Sequence, residues 1–170
     1  MIYNGTLAEV MEAGRELAEK GDTVGWNVVD TSIVPEVSRR VSERGIDTRA
    51  VSLIAGYLGS GCTNIQDYGA TLAAAVLEER HYDPSMHWDI FHGLERVAYG
   101  DGGIFPRFRA SVALAKAGQS IVADNGYRFD ILNDNISRGE EDDADLAGIA
   151  KACRESLGEL EKKLNPLARA

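Results

Sequence analysis

Residues 142–164 read DDADLAGIAKACRESLGELEKKL, and within them Leu146, Ala150, Cys153, Leu157, Leu160 and Leu164 recur at spacings of 4, 3, 4, 3 and 4. That alternation follows the 3.6-residue turn of an α-helix and paints one apolar stripe along it, so the stretch predicts a helix over about 142–164. Glu140, Glu141, Asp142, Asp143 and Asp145 precede or open it and Lys162 and Lys163 close it, each sign placed where the helix dipole favours it. The same repeat suits a coiled-coil seam and hence a homodimer. The inward stripe of a monomeric bundle needs no partner and is the preferred reading.

Working outward, the helical period returns through most of the chain. Thr6-Leu-Ala-Glu9 has the form of a capping box, opening a helix whose stripe is Leu7, Val10, Met11, Leu17 and Ala18 and whose stop is Gly21. Further helices are predicted over Val34 to Gly45, Thr48 to Leu58, about Asn64 to Arg80, and from Asp83-Pro84 to Gly100, each with apolar residues three or four apart. Phe108 to Ala117 is also helical in pattern. Two stretches read differently. Thr23 to Val29 is short and rich in β-branched and aromatic residues, which favours an extended segment. Ser120 to Leu132 holds Asn125-Gly126 between β-type runs, a two-residue hairpin signal, with a helix end capped by Gly126 as the competing reading. The expected fold is therefore mainly α, about six helices packed as one bundle-like domain over 1–170, with at most a small hairpin near 120–132.

Composition narrows the function classes. The chain has 170 residues, 44% of them hydrophobic, and a formal net charge of −9, so it can bury a core without staples and repels nucleic acid and anionic membranes on average. No apolar run reaches the roughly 18 residues that a membrane span requires, and residues 1–21 are acidic and amphipathic rather than signal-like. A cytoplasmic location is expected. Cys62 and Cys153 lie far apart in sequence, without the dense pairing of a secreted disulfide framework, and read as free thiols.

The charge is uneven. Residues 120–145 carry eight acids, Asp124, Asp130, Asp134, Glu140, Glu141, Asp142, Asp143 and Asp145, against Arg128 and Arg138 alone. Together with the absence of a catalytic motif, this concentration favours a non-catalytic module, such as a regulator, inhibitor or assembly subunit, that binds a partner protein through an acidic face. These acids do not follow the alternating oxygen ligands of an EF-hand, so no metal site and no cofactor is expected.

Two alternatives rest on other residues. Val37 to Gly56 resembles a helix-turn-helix, with Gly45 at the turn and Val41, Val51 and Ile54 inward. A DNA reader built on it would use Arg40, Arg44, Thr48, Arg49 and Ser52, although Glu36, Glu43 and Asp47 cancel most of the local positive charge that phosphate binding needs. The other alternative is a small enzyme centred on His87, Asp89 and His92. Asp89, His92 and Glu95 share one helix face and suit acid–base work, whereas His87 and His92, five apart, are poorly spaced for zinc. Gly100-Asp-Gly-Gly103, with Arg107 and Arg109 behind it, follows a helix rather than a strand and so lacks the usual setting of a phosphate loop. The run Gly103-Ile-Phe-Pro-Arg107 falls where Fic and death-on-curing proteins carry H-P-F-x-x-G-N-K-R between two helices, but it holds no histidine, no Gly-Asn pair and no Lys-Arg.

Overall fold

The Thr6 capping box forms as its sequence implies: the Thr6 hydroxyl accepts from the Glu9 backbone N–H at 3.2 Å and the Glu9 carboxylate accepts from the Thr6 N–H at 3.1 Å. It opens α1 (Leu7–Lys20), which Gly21 ends in the left-handed conformation at φ 71°. The computed structural model describes residues 4–77, 88–117 and 127–164. After α1 come α2 (Thr23–Val28), α3 (Val34–Arg44), α4 (Thr48–Leu58), α5 (Thr63–Leu77), α6 (Trp88–Ala98), α7 (Ile104–Ala117), α8 (Phe129–Asp142) and α9 (Ala147–Leu164). Among the described residues there is no strand, and the helices pack around one continuous apolar core.

Thr23 to Val29 is a correction to the extended reading. Asp22 caps α2 by accepting from the Gly25 N–H at 2.6 Å, and a π-helical turn at Val29–Ile33 carries the helix without a break into α3. Burial of Val29 and Ile33 outweighs the modest β preference of the local residues. The second half of the expected hairpin is corrected too, since Phe129 to Leu132 begin α8, whereas Asn125-Gly126 lies outside the described residues. The signal for α8 was the 4- and 3-residue spacing of Leu132, Ile136 and Gly139, all buried, which the polar Asn135 beside them obscures.

The long terminal helix also divides. α8 ends at Asp142, Asp143 is extended, and its carboxylate accepts from the Asp145 N–H at 3.0 Å to cap a 3-10 turn at Ala144–Leu146 before α9 begins. Glu140, Glu141 and Asp142 therefore close α8 instead of opening α9. At that end the helix dipole opposes them. The apolar repeat itself holds, because Ala150, Cys153, Leu157 and Leu160 are buried and α9 packs on α7 and α8. The chain's own helices cover the seam.

α7 sits at the centre, packed on α5, α6, α8 and α9, with Phe108, every residue from Ala110 to Ala115, and Ala117 buried. A helix apolar on nearly all sides must be covered on all of them. One polar junction fixes the cover. Asn135 of α8 donates from Nδ2 to the Ala98 carbonyl at 2.8 Å and to the Ser111 hydroxyl at 3.0 Å, while Ser111 donates to the Arg107 carbonyl at 2.8 Å. Close approach elsewhere depends on missing side chains: a Cβ on Gly69 of α5 would stand 2.8 Å from Tyr57 Cβ and 2.9 Å from the Leu58 backbone nitrogen of α4.

Two substitutions should therefore destabilise the fold and one should not. Gly69→Ala forces α4 from α5, and Asn135→Leu strands the Ala98 carbonyl and Ser111; each is expected to cost about 1–3 kcal/mol in urea unfolding. Gly56→Ala, which meets nothing within 4 Å, is expected to stabilise by roughly 0.5–1 kcal/mol through helix propensity. Equal stability of all three variants would contradict this account of the packing.

Candidate functional site

With Asn135, Ile136 and Gly139 turned inward, α8 presents Asp130, Asp134, Arg138, Glu141 and Asp142 as exposed residues. Asp134, Ser137, Arg138, Glu141 and Asp142 line a shallow surface groove of about 510 Å³ together with Ile104 from the first turn of α7. Ile104 is 38% exposed and Phe105 beside it 36%, a large apolar commitment to solvent at the start of an otherwise buried helix.

The expected acids are not equivalent in this setting. Glu140 turns to α9 and pairs with Arg154 at 2.7 Å, Asp143 is used as a cap, and Asp134 pairs with Arg138 at 2.9 Å. Asp130, Glu141, Asp142 and the exposed Asp145 make no ion pair among the described residues. Asp124 lies outside the described residues.

The residues named for DNA contact are brought close only in part. α3 and α4 are joined through Gly45 at φ 76°, but α3 packs on α1, α5 and the π turn whereas α4 packs on α1, α5 and α6. A recognition unit depends on two helices packed on each other, and that contact is not made. Arg40 is half-buried, 2.7 Å from Glu36 and bonded to the Gly5 carbonyl. Arg39 is held by Glu36 at 2.7 Å and by Glu43 at 2.8 Å. These two arginines keep the Glu36 carboxyl well below its usual range, at about 2. Arg44, Thr48, Arg49 and Ser52 are exposed.

Of the residues named for acid–base work, the described ones bring His92 and Glu95 together at the surface. His87 lies outside the described residues, Asp89 and His92 are exposed, and His92 Nδ1 stands 3.2 Å from the Glu95 carboxylate, with the Trp88 ring edge-on to the imidazole at 4.4 Å between centroids. Exposed pairs of this kind contribute little to stability. Among the described residues no group of three or more His, Cys, Asp or Glu side chains is placed to hold a metal.

A second concavity was not foreseen. α5, α7 and α9 enclose a groove of about 400 Å³ lined by Thr71 and Ala74 from α5, Phe108, Arg109, Val112 and Lys116 from α7, and Gly148, Ile149, Ala152 and Cys153 from α9. Arg109, placed by sequence beside the Gly100–Gly103 loop, reaches across to Asp67 of α5 instead, with Nε 3.0 Å from Oδ1. The two charges are close enough to pair, yet the N–H is poorly aligned for a hydrogen bond and both atoms stay without an aligned partner among the described residues. Burial of Asp67 raises its carboxyl to about 6, aided by the nearby Asp30 and opposed by Arg109. Burial likewise pushes the Cys153 thiol up, which makes it a poor nucleophile. No short motif announced this groove, because its walls come from three separated helices.

No protein-family model, curated protein or solved structure matches the chain. Among the described residues no helix is long and apolar enough to cross a membrane.

The raised Asp67 carboxyl sets a sign for pH dependence. Between the ordinary 3.8 and about 6 the folded chain holds a proton that the unfolded chain has released, so this group's contribution to stability is lost as pH rises through that window. A carbon-13 titration of the Asp67 carboxyl should give a midpoint near 6, and a midpoint below the ordinary value would mean that the Arg109 charge outweighs burial. In the Asp67→Asn variant the corresponding slope in unfolding free energy should disappear.

Proposed function

We propose that this chain is a non-catalytic interaction module that binds a basic partner protein through the exposed face of α8. The observation that carries the reading is the placement of Ile104 beside Asp134, Glu141 and Asp142 in one groove. An apolar anchor surrounded by charge is the common anatomy of a protein interface, in which the anchor supplies affinity and the rim supplies orientation and speed. Carboxylates at Asp130, Glu141, Asp142 and Asp145, which make no ion pair among the described residues, select for Lys- and Arg-rich surfaces, and a net charge of −9 steers such partners toward the chain over distances that salt shortens. Regulator, inhibitor and assembly subunit all remain compatible roles, and a cytoplasmic setting fits two free thiols,.

The test compares proteins captured by the wild-type chain with those captured by two variants. Asp134→Lys/Glu141→Lys/Asp142→Lys reverses the rim and Ile104→Ser removes the anchor, and all four positions are solvent-facing. A direct partner should lose about tenfold or more in affinity with either variant, and its wild-type binding should weaken as salt rises. Partners retained equally by both variants would refute the reading, as would the capture of none.

A further inference from the structure

The groove between α5, α7 and α9 differs in chemistry from the surface around it. Its walls are apolar at Ala74, Phe108, Val112, Ile149 and Ala152, and Ile149 is 47% exposed. In a chain of net charge −9, the only charged side chains in this lining among the described residues are the cations Arg109 and Lys116. They stand seven positions apart on α7, two turns along one face, with Val112 between them. Asp67 stands beside Arg109, with Nε 3.0 Å from Oδ1, and the terminal nitrogens of that guanidinium make no hydrogen bond among the described residues. A guanidinium with unused terminal donors is suited to a carboxylate.

The volume of about 400 Å³ falls in the range of small-molecule sites, which are mostly apolar with a few fixed polar groups. From this complementarity we propose that the groove is a binding site for a free monoanionic amphiphile, a carboxylate bearing a single alkyl or aryl tail. The head lies at Arg109 and Lys116, and the tail runs over Val112, Phe108, Ile149 and Ala152. Phe108 is a fixed wall, because its ring sits where a Cβ on Gly139 would be, 2.3 Å away. Gly148 leaves the α9 wall open, since a Cβ there meets nothing within 4 Å. The site is separate from the α8 face and does not depend on a protein partner.

Decanoate is the probe, titrated below its micelle concentration by calorimetry and by methyl NMR shifts at Ala74, Ile149 and Ala152. Binding with shifts at those methyls is expected. Gly148→Phe, which occupies open space, and Lys116→Glu should each weaken binding by about tenfold or more while leaving the thermal midpoint near that of the wild type. Decan-1-ol and decyltrimethylammonium, with the same tail and no anion, should bind at least about tenfold more weakly than decanoate. No decanoate binding, equal binding of the three probes, or unaltered binding by a folded Gly148→Phe variant would overturn the proposal. Co-sedimentation with anionic phospholipid vesicles that Lys116→Glu abolishes would overturn it in favour of a membrane-docking surface.

Discussion

The burial of α7 is the constraint from which the rest of the architecture follows. A helix with Phe108, Ala110 to Ala115 and Ala117 all removed from water has no face to leave bare, and α5, α6, α8 and α9 close around it. Hydrophobic burial alone does not choose the rotation of each surrounding helix. Asn135 does so for α8, because its amide must meet both the Ala98 carbonyl and Ser111, and a buried polar group left unmatched would cost more than the bond contributes. Once Asn135 and Gly139 face inward, the carboxylates on the remaining positions of α8 have only solvent to face.

The two concavities arise from the same central helix at different places. At its first turn α7 still projects Ile104 outward, beside the carboxylate end of α8. Farther along, α9 approaches through Gly148, Ala152 and Cys153, residues too small to fill the space over Val112. The first opening carries Asp134, Glu141 and Asp142 against Arg138, and the second carries Arg109 and Lys116. The two openings thus differ in the sign of the charge that predominates among their described lining residues.

Much of this was legible in sequence, for identifiable reasons. The Thr6 capping box and the α9 repeat depend on residues close together in the chain, and both formed. α2 was hidden because six residues are too few to display a helical period and its governing signal, the Asp22 cap, is a single side chain. α8 was hidden because two of its inward positions, Asn135 and Gly139, are not apolar, so an apolarity pattern passes over them. The acidic character of 130–145 was plain, but which carboxylates are bare was not, since Arg154 and the Asp143 cap are tertiary and local-backbone facts. The apolar groove and the Asp67–Arg109 pair join residues separated by tens of positions, and no local pattern encodes them.

The π turn at Val29–Ile33 has a consequence for the whole N-terminal half. Its Val34 N–H reaches back five residues to the Val29 carbonyl, so one more residue is accommodated there than an α-helix would hold. An added residue rotates everything downstream by about 100° relative to what lies before it. Gly25, Val29, Ile33, Val37 and Val41 recur every four residues and all are buried; in an uninterrupted α-helix such a stripe drifts by about 40° per step, and the surplus residue offsets much of that drift, so α2, the π turn and α3 all keep contact with α1. One widened turn thus lets a rod of three segments hold a single buried stripe against the core.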